Sequence, residues 1–295
     1  MIGAVDIGGT KIAVGMVSED GQILAHRQFP SGNKLSPQNG IAQIISLLRE
    51  TAAEAANPFE GIGISCTGPI DPITGIMGKI EFLPDWEGIN LVTEIQNAMS
   101  VGVAMENDAD AAALGEYSWG AGKHATRLVY VTISTGIGVG MVFDGRLYRG
   151  FEGAHPEFGH HVIDPSGPLC SCGAHGCWEI MASGPAMAKF AKCSTAFETC
   201  QEADRGNPAA LAAIKREGTY LGVGFANLVN IFVPDVIIFG GGVMQRKELF
   251  LEAIQNGIRK NCSMVPYEKT RLVPAQFGVQ AGLIGAAQVW IQRFQ

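Results

Sequence analysis

The sequence has no long apolar run. No stretch approaches the ~18 residues of a membrane-crossing helix, so no membrane partner is expected. The opening Met1-Ile-Gly-Ala-Val-Asp6 has no basic segment and no cleavage site, so no secretory signal is expected and the chain is placed in the cytoplasm. Positive charge is scarce: Lys and Arg number 21 against 28 Asp and Glu, so the net charge is 21 − 28 = −7, with no block of one sign. DNA binding draws most of its affinity from Lys and Arg, and no nucleic-acid partner is expected. A small phosphate ligand stays admissible, because it needs only a local nest of backbone N–H groups. Disulfides are not expected either. In a reducing compartment the seven cysteines read as thiols or metal ligands, and the scattered Cys66, Cys193, Cys200 and Cys262 read as packing residues.

What is present is apolar residue (47%) and glycine (39 of 295). The first suffices for a large core, in two domains or one large one. The second is well above the usual ~7% and gathers at turns between apolar runs. Residues 2–6 and 12–17 read as strands around Gly8-Gly9-Thr10-Lys11, with a third strand at 23–29. Ile41, Ile44, Ile45, Leu47, Leu48 and Ala52 recur at helical spacing. A buried-type strand at 61–66 runs into a Gly/Pro loop, 67–75, that holds Gly68. Residues 81–90 read as loop, 91–99 as helix and 101–105 as strand. A helix at 109–119 follows, with Asn107 or Asp108 near its N-cap. Then the opening pattern recurs. A strand at 128–133 meets the turn Ser134-Thr135-Gly136, a return strand spans 139–143, and Asp144-Gly145 turns into 146–148. The recurrence implies a duplicated domain. Residues 183–192, 208–232 and 247–261 read as helices. Residues 236–240 form a strand entering Gly240-Gly241-Gly242, 271–273 an edge strand and 281–291 the last helix. The expected division is a smaller lobe 1–115, to which 281–295 returns, and a larger lobe 116–280.

The strongest local signal lies at 157–179. Cys170, Cys172 and Cys177 fall within eight residues. A structural zinc takes four thiolate or imidazole ligands, and His155, His160, His161 and His175 compete for the fourth place. His175 is constrained inside the Cys172–Cys177 turn, and His160, after Gly159, is favoured over His161. Glu157 and Glu179 bracket this loop, and paired carboxylates accept hydrogen bonds from polyol hydroxyls. The turns at Gly8–Thr10 and Thr135-Gly136 lie between antiparallel strands. They are therefore neither a Walker loop nor a dinucleotide fingerprint, but paired turns of this kind can hold a polyphosphate. Asp6 can position Mg²⁺ through water. Gly240–Gly242 can lie flat against a nucleoside, and Asp108 can act as a general base on an attacking hydroxyl.

Asp6-Ile-Gly-Gly-Thr-Lys11, Glu106-Asn-Asp108, Glu157-x-Gly-His160 and Cys170-x-Cys-Gly-x-x-Gly-Cys-x-Glu179 together resemble the ROK family of bacterial sugar kinases and sugar-responsive repressors. The resemblance covers nearly the whole chain. It implies an α/β, actin-like, duplicated ribonuclease-H-like fold, with ATP and sugar in the cleft between two lobes. It implies Asp108 as catalytic base, and Gly68, Asn107, Glu157, His160 and Glu179 around the sugar. His160, Cys170, Cys172 and Cys177 would be the zinc ligands. Asp6, Gly8, Gly9, Thr10, Lys11, Thr135, Gly136, Gly240, Gly241 and Gly242 would serve ATP and its Mg²⁺. Homodimers are common in the family. The repressor branch carries an extra N-terminal helix-turn-helix domain, whereas Asp6 here begins the kinase pattern at once. The expected reaction is ATP-dependent phosphorylation of a hexose 6-hydroxyl. Pro84-Asp-Trp86-Glu-Gly88 and the run 106–116 resemble the family's glucokinases, and His155-Pro-Glu157-x-Gly-His160 its fructokinases. N-acetylmannosamine and N-acetylglucosamine kinases share the carboxylates. A non-catalytic sugar sensor is the alternative of another class.

Overall fold

Strand β1 (Ile2–Ile7) turns at Gly8–Thr10 into antiparallel β2 (Lys11–Val17), which pairs with β3 (Ile23–Pro30). The computed structural model describes all residues, 1–295. Helix α1 (Pro37–Ala55) starts where its residues allow. Ser36 accepts the Asn39 N–H, Pro37 occupies a first-turn position that needs no N–H, and Ala56 closes the helix in the left-handed region. Strand β4 (Gly61–Cys66) runs parallel to β1. The expected loop that follows contains a two-residue ladder, β5 (Ile70–Asp71) with β6 (Ile76–Met77). Helix α2 (Leu91–Met99), strand β7 (Gly102–Asn107) and helix α3 (Asp108–Ser118) complete this part. The sheet order is β3-β2-β1-β4-β7. Its central strands are apolar on both faces because both are covered. Val5, Ile7, Ile62 and Ile64 pack with Ile41, Ile44 and Leu48 of α1, while Ile2, Ala4, Ala13 and Val17 face the other way.

The duplication is visible in the second sheet. Strand β8 (Arg127–Ile133) pairs antiparallel with β9 (Ile137–Phe143). Asp144 and Gly145 both take positive φ, as a type I′ turn demands, and lead into the short β10 (Arg146–Leu147). Helices α4 (Trp178–Ala182), α5 (Gly184–Ala191), α6 (Ala196–Asp204) and α7 (Pro208–Phe232) follow. Strand β11 (Val236–Gly240), helix α8 (Leu251–Asn261), strand β12 (Arg271–Pro274) and helix α9 (Ala281–Phe294) end the chain. The run β9-β8-β11-β12 repeats β2-β1-β4-β7: one antiparallel pair, then two parallel neighbours. Its core is Val129, Val131 and Val139 packed with Trp178, Leu221, Phe225 and Ile254. The expected helix at 247–261 begins late. Residues 243–249 form a tight 3₁₀ turn broken at Arg246, whose guanidinium is bonded to Asp204 and Glu248. Helix α6 was not expected, since its exposed face and short apolar stripe give little periodic signal.

Two compact units result: 1–124 with 146–156 and 276–295, and 125–145 with 157–275. The expected cut at 115/116 would fall inside α3, and the expected larger lobe included 146–156. One residue explains much of the first unit's composition. Glu116, fully buried, accepts the N–H groups of Ala121, Gln276 and Phe277 at 2.9, 2.7 and 3.1 Å. It thereby ties the end of α3 to the entry of α9. Leu283, Ala286, Ala287 and Trp290 of α9 then cover Ile2, Ala4, Ala13 and Val17. No helix is long and apolar enough to cross a membrane.

Candidate active site

In the first unit, three parallel strands end side by side. Strand β1 delivers Asp6, β4 delivers Ser65 to Thr67, and β7 delivers Asn107 and Asp108. Ligand sites of open α/β sheets lie beyond such carboxyl ends. Ser65 Oγ donates to Asp6 Oδ1 at 3.0 Å. Burial pushes the Asp6 carboxyl from its ordinary 3.8 up to about 6; the Ser65 bond opposes the rise, the Asp108 charge adds to it, and Lys11 opposes it. The start of α9 lies against the same carboxylate. A Cβ built on Gly282 would stand 2.2 Å from Asp6 Cγ, so only glycine lets the helix approach this closely. The turn after Asp6 is closed by the Gly8 N–H on the Lys11 carbonyl (3.0 Å) and by Ser31 Oγ on the Gly8 carbonyl (2.7 Å). Gly9, Thr10 and Lys11 are left exposed, and Lys11 Nζ donates to Gln28 Oε1 at 3.0 Å.

Asn107 is the N-cap of α3: its Oδ1 accepts the Ala109 N–H at 2.9 Å, which leaves the amide nitrogen beside Gly68. Asp108 shares that N–H through Oδ1 (2.8 Å), and its Oδ2 accepts from Thr67 Oγ1 at 3.0 Å. A carboxylate fixed through both oxygens presents its remaining lone pairs in a defined direction. Sequence reasoning missed Thr67 and Ser65, which lie 41 and 59 residues from their partners. Their only signal was a hydroxyl on either side of the end of a buried strand. Cys66, between them, is buried and its thiol is pushed well up by burial and by the charges of Asp108 and Asp6, in keeping with a packing role.

In the second unit the Ser134–Gly136 turn closes through the Ser134 N–H on the Gly136 carbonyl at 2.8 Å and leaves Thr135 exposed. Gly240–Gly242 follows the adjacent strand β11, and Gly241 takes φ +90° against the Ile133 backbone. Glu179, in the first turn of α4, reaches the other turn: its Oε2 accepts the Ile137 N–H at 2.9 Å. A Cβ on Gly136 would sit 2.3 Å from that oxygen, so a glycine is required there. Glu157 is exposed at the start of the 3₁₀ turn Phe158–His160, where its carbonyl accepts the His160 N–H at 3.0 Å.

The 157–177 loop is anchored by fully buried Trp178, edge-on to Phe158 and Phe225. It brings one ligand atom each from His160, Cys170, Cys172 and Cys177 within 4.8 Å of one another. His160 Nδ1 lies 3.5 Å from Cys170 Sγ, while Nε2 points to Glu179 Oε1 at 3.9 Å. The competing histidines are engaged elsewhere. His161 bonds the Phe158 carbonyl (2.5 Å) and the Asn227 amide (3.0 Å), His175 the Gly167 carbonyl (3.0 Å), and His155 the Asp110 carboxylate (2.7 Å). Three thiols and one imidazole suit tetrahedral zinc.

Residues 2–293 match the ROK family. A glucokinase of Streptomyces coelicolor is 32% identical over 311 residues, covering 97% of this chain and 96% of its own. The ROK hexokinase of Thermus thermophilus superposes with a TM-score of 0.90 at 31% identity, over 99% of this chain and 98% of its own. A ROK family glucokinase from Streptomyces griseus, solved with glucose and AMPPNP, gives a TM-score of 0.79 at 31% identity over 97% of each chain. The chain belongs to the ROK family, and its fold is the duplicated actin-like, ribonuclease-H-like α/β fold.

Proposed function

We propose that the protein is an ATP-dependent hexose kinase that phosphorylates the 6-hydroxyl of glucose. The observation that carries this reading is the likeness, over 97% of both chains, to the Streptomyces griseus relative solved with glucose and AMPPNP. Asp108 takes the proton of the attacking hydroxyl, with Thr67 and the Ala109 N–H fixing the carboxylate that receives it. Gly68 and the free amide of Asn107 line its surroundings. Glu157, His160 and Glu179 receive sugar hydroxyls. Gly8–Lys11, Thr135-Gly136 and Gly240–Gly242 serve the nucleotide. Asp6 would hold Mg²⁺, which would supply positive charge at the phosphates.

His160 Nδ1 and the thiols of Cys170, Cys172 and Cys177 would hold a structural zinc, which would order the loop that carries Glu157 and Glu179. With Nδ1 given to the metal, the Nε2 proton of His160 would face Glu179 and a sugar hydroxyl. The protein works as a homodimer. A coupled ADP-release assay over glucose, fructose, mannose and the two N-acetylhexosamines tests the reading. Glucose is expected to give the highest kcat/KM. Turnover confined to fructose or to an N-acetyl sugar replaces glucose with that sugar. Tight sugar binding without ADP release identifies a sensor instead.

A further inference from the structure

The first unit contains a cavity of about 280 Å³ whose lining includes neither Asp6 nor Asp108. It runs along β7, the edge strand of its sheet. The loop at Ile73, the segment at Arg146 to Arg149 and the end of α9 at Arg293 form the other walls. Its charge is opposite to that of the chain: three arginines (Arg146, Arg149, Arg293) and one acid (Glu106) give 3 − 1 = +2 in a protein of net charge −7.

Glu106 is 4% exposed, and its Oε1 pairs with Arg149 Nη2. Its second oxygen, Oε2, and the Arg149 Nε are both buried without a hydrogen-bond partner in the protein. Buried polar atoms are almost always paired. One acceptor and one cationic donor thus stand unused in the wall of one cavity. Burial and the neighbouring Arg293 charge hold Arg149 below the ordinary guanidinium value, so the two positive groups are close enough to repel.

We propose that this cavity binds a small phosphomonoester that also carries a hydroxyl group, the phosphate lying on Arg146, Arg149 and Arg293 and the hydroxyl donating to Glu106 Oε2. Guanidinium forks match phosphate oxygens geometrically, and a dianion offsets the +2 lining. A carboxylate-only ligand or a metal cation leaves one of the two unused atoms unsatisfied. The site is separate from the turns assigned to ATP.

The test is calorimetric titration of the full chain with glycerol 3-phosphate and, separately, with inorganic phosphate. Glycerol 3-phosphate is expected to bind more tightly, because only it supplies the hydroxyl. In the double variant Arg146→Ala/Arg293→Ala, whose side chains are at the surface, its Kd should rise at least ~10-fold, the size of one charge-assisted hydrogen bond. In Lys11→Ala, altered at the nucleotide turn, its Kd should not change. Three results overturn the proposal: no heat from the parent protein at millimolar ligand, an unchanged Kd in the double variant, or a loss confined to Lys11→Ala. Equal affinity for the two ligands overturns the role of Glu106. Arg293→Glu, which reverses the charge while keeping a long side chain, should lose binding as the double variant does.

Discussion

Replacing Asp6 with asparagine changes the pH dependence of folding by a calculable amount. The folded carboxyl titrates at about 6 against an ordinary 3.8, a rise caused chiefly by burial. A raised folded pKa contributes stability that is complete below 3.8, declines as pH climbs through 6, and is absent above. At one pKa unit per 1.36 kcal/mol the whole effect is about 3 kcal/mol, of which about 1.4 kcal/mol falls between pH 5 and 8. The asparagine amide cannot titrate, and its oxygen still accepts from Ser65. Asp6→Asn should therefore gain about 1.4 kcal/mol on the parent protein between pH 5 and pH 8. Urea unfolding without added magnesium measures it. A Trp178→Phe background leaves the fluorescence to Trp86, Trp119 and Trp290, all in the first unit. Taking the difference between the two proteins cancels titrations common to both, including those of the cysteine loop. Magnesium favours the charged carboxylate and should narrow the gap at pH 8. A parent-to-variant difference equal at both pH values refutes the assignment of a burial-raised carboxyl at this position.

Asp108→Asn should lower kcat by ~10²–10⁴-fold with sugar affinity kept, as measured by ADP release and sugar titration. Thr67→Val removes one hydrogen bond to that carboxylate and should lower kcat ~10-fold with KM little changed. Gly136→Ala drives a methyl into the Glu179 carboxylate and breaks its bond to Ile137. The expected result is a sugar KM raised ~10-fold or more, checked by initial-rate kinetics. Cys177→Ser should abolish stoichiometric zinc by elemental analysis and lower the melting temperature of the second unit. Glu217 is fully buried with both oxygens unpartnered, and burial pushes its carboxyl well up. Glu217→Met should stabilise the protein by ~1–3 kcal/mol near pH 8 and by less near pH 5, where the pH lies close to the ordinary value of 4.5 and keeping the folded acid neutral costs less; urea midpoints at the two pH values decide.

The parts legible in the sequence are those with a local signature. Buried strands show as apolar runs, the Asp144-Gly145 turn as a dipeptide needing two positive φ values, and the zinc loop as thiol spacing. His160 is favoured among four histidines by its place after Gly159 and by the family pattern; the structure adds what occupies the other three rings. The hydrogen bonds that aim Asp6, Asp108 and Glu179 join residues 59, 41 and 42 positions apart, and no periodicity encodes such a pairing. For the same reason the split at residue 115 was misplaced: the Glu116 contacts that hold residues 276–277 to α3 are invisible in either segment alone. The cavity beside β7 draws on six separated stretches and leaves no trace in any of them.

The return of α9 also sets an order of assembly during synthesis. Residues 125–145 and 157–275 form the second unit and can collapse as they leave the ribosome. The earlier-made unit cannot finish. The face formed by Ile2, Ala4, Ala13 and Val17 stays uncovered until Leu283, Ala286, Ala287 and Trp290 emerge. Domains commonly mature in the order in which they are translated. Here the first residues made are among the last to be buried, and a chain stalled about twenty residues short of its end exposes an apolar sheet that only its own missing tail fits.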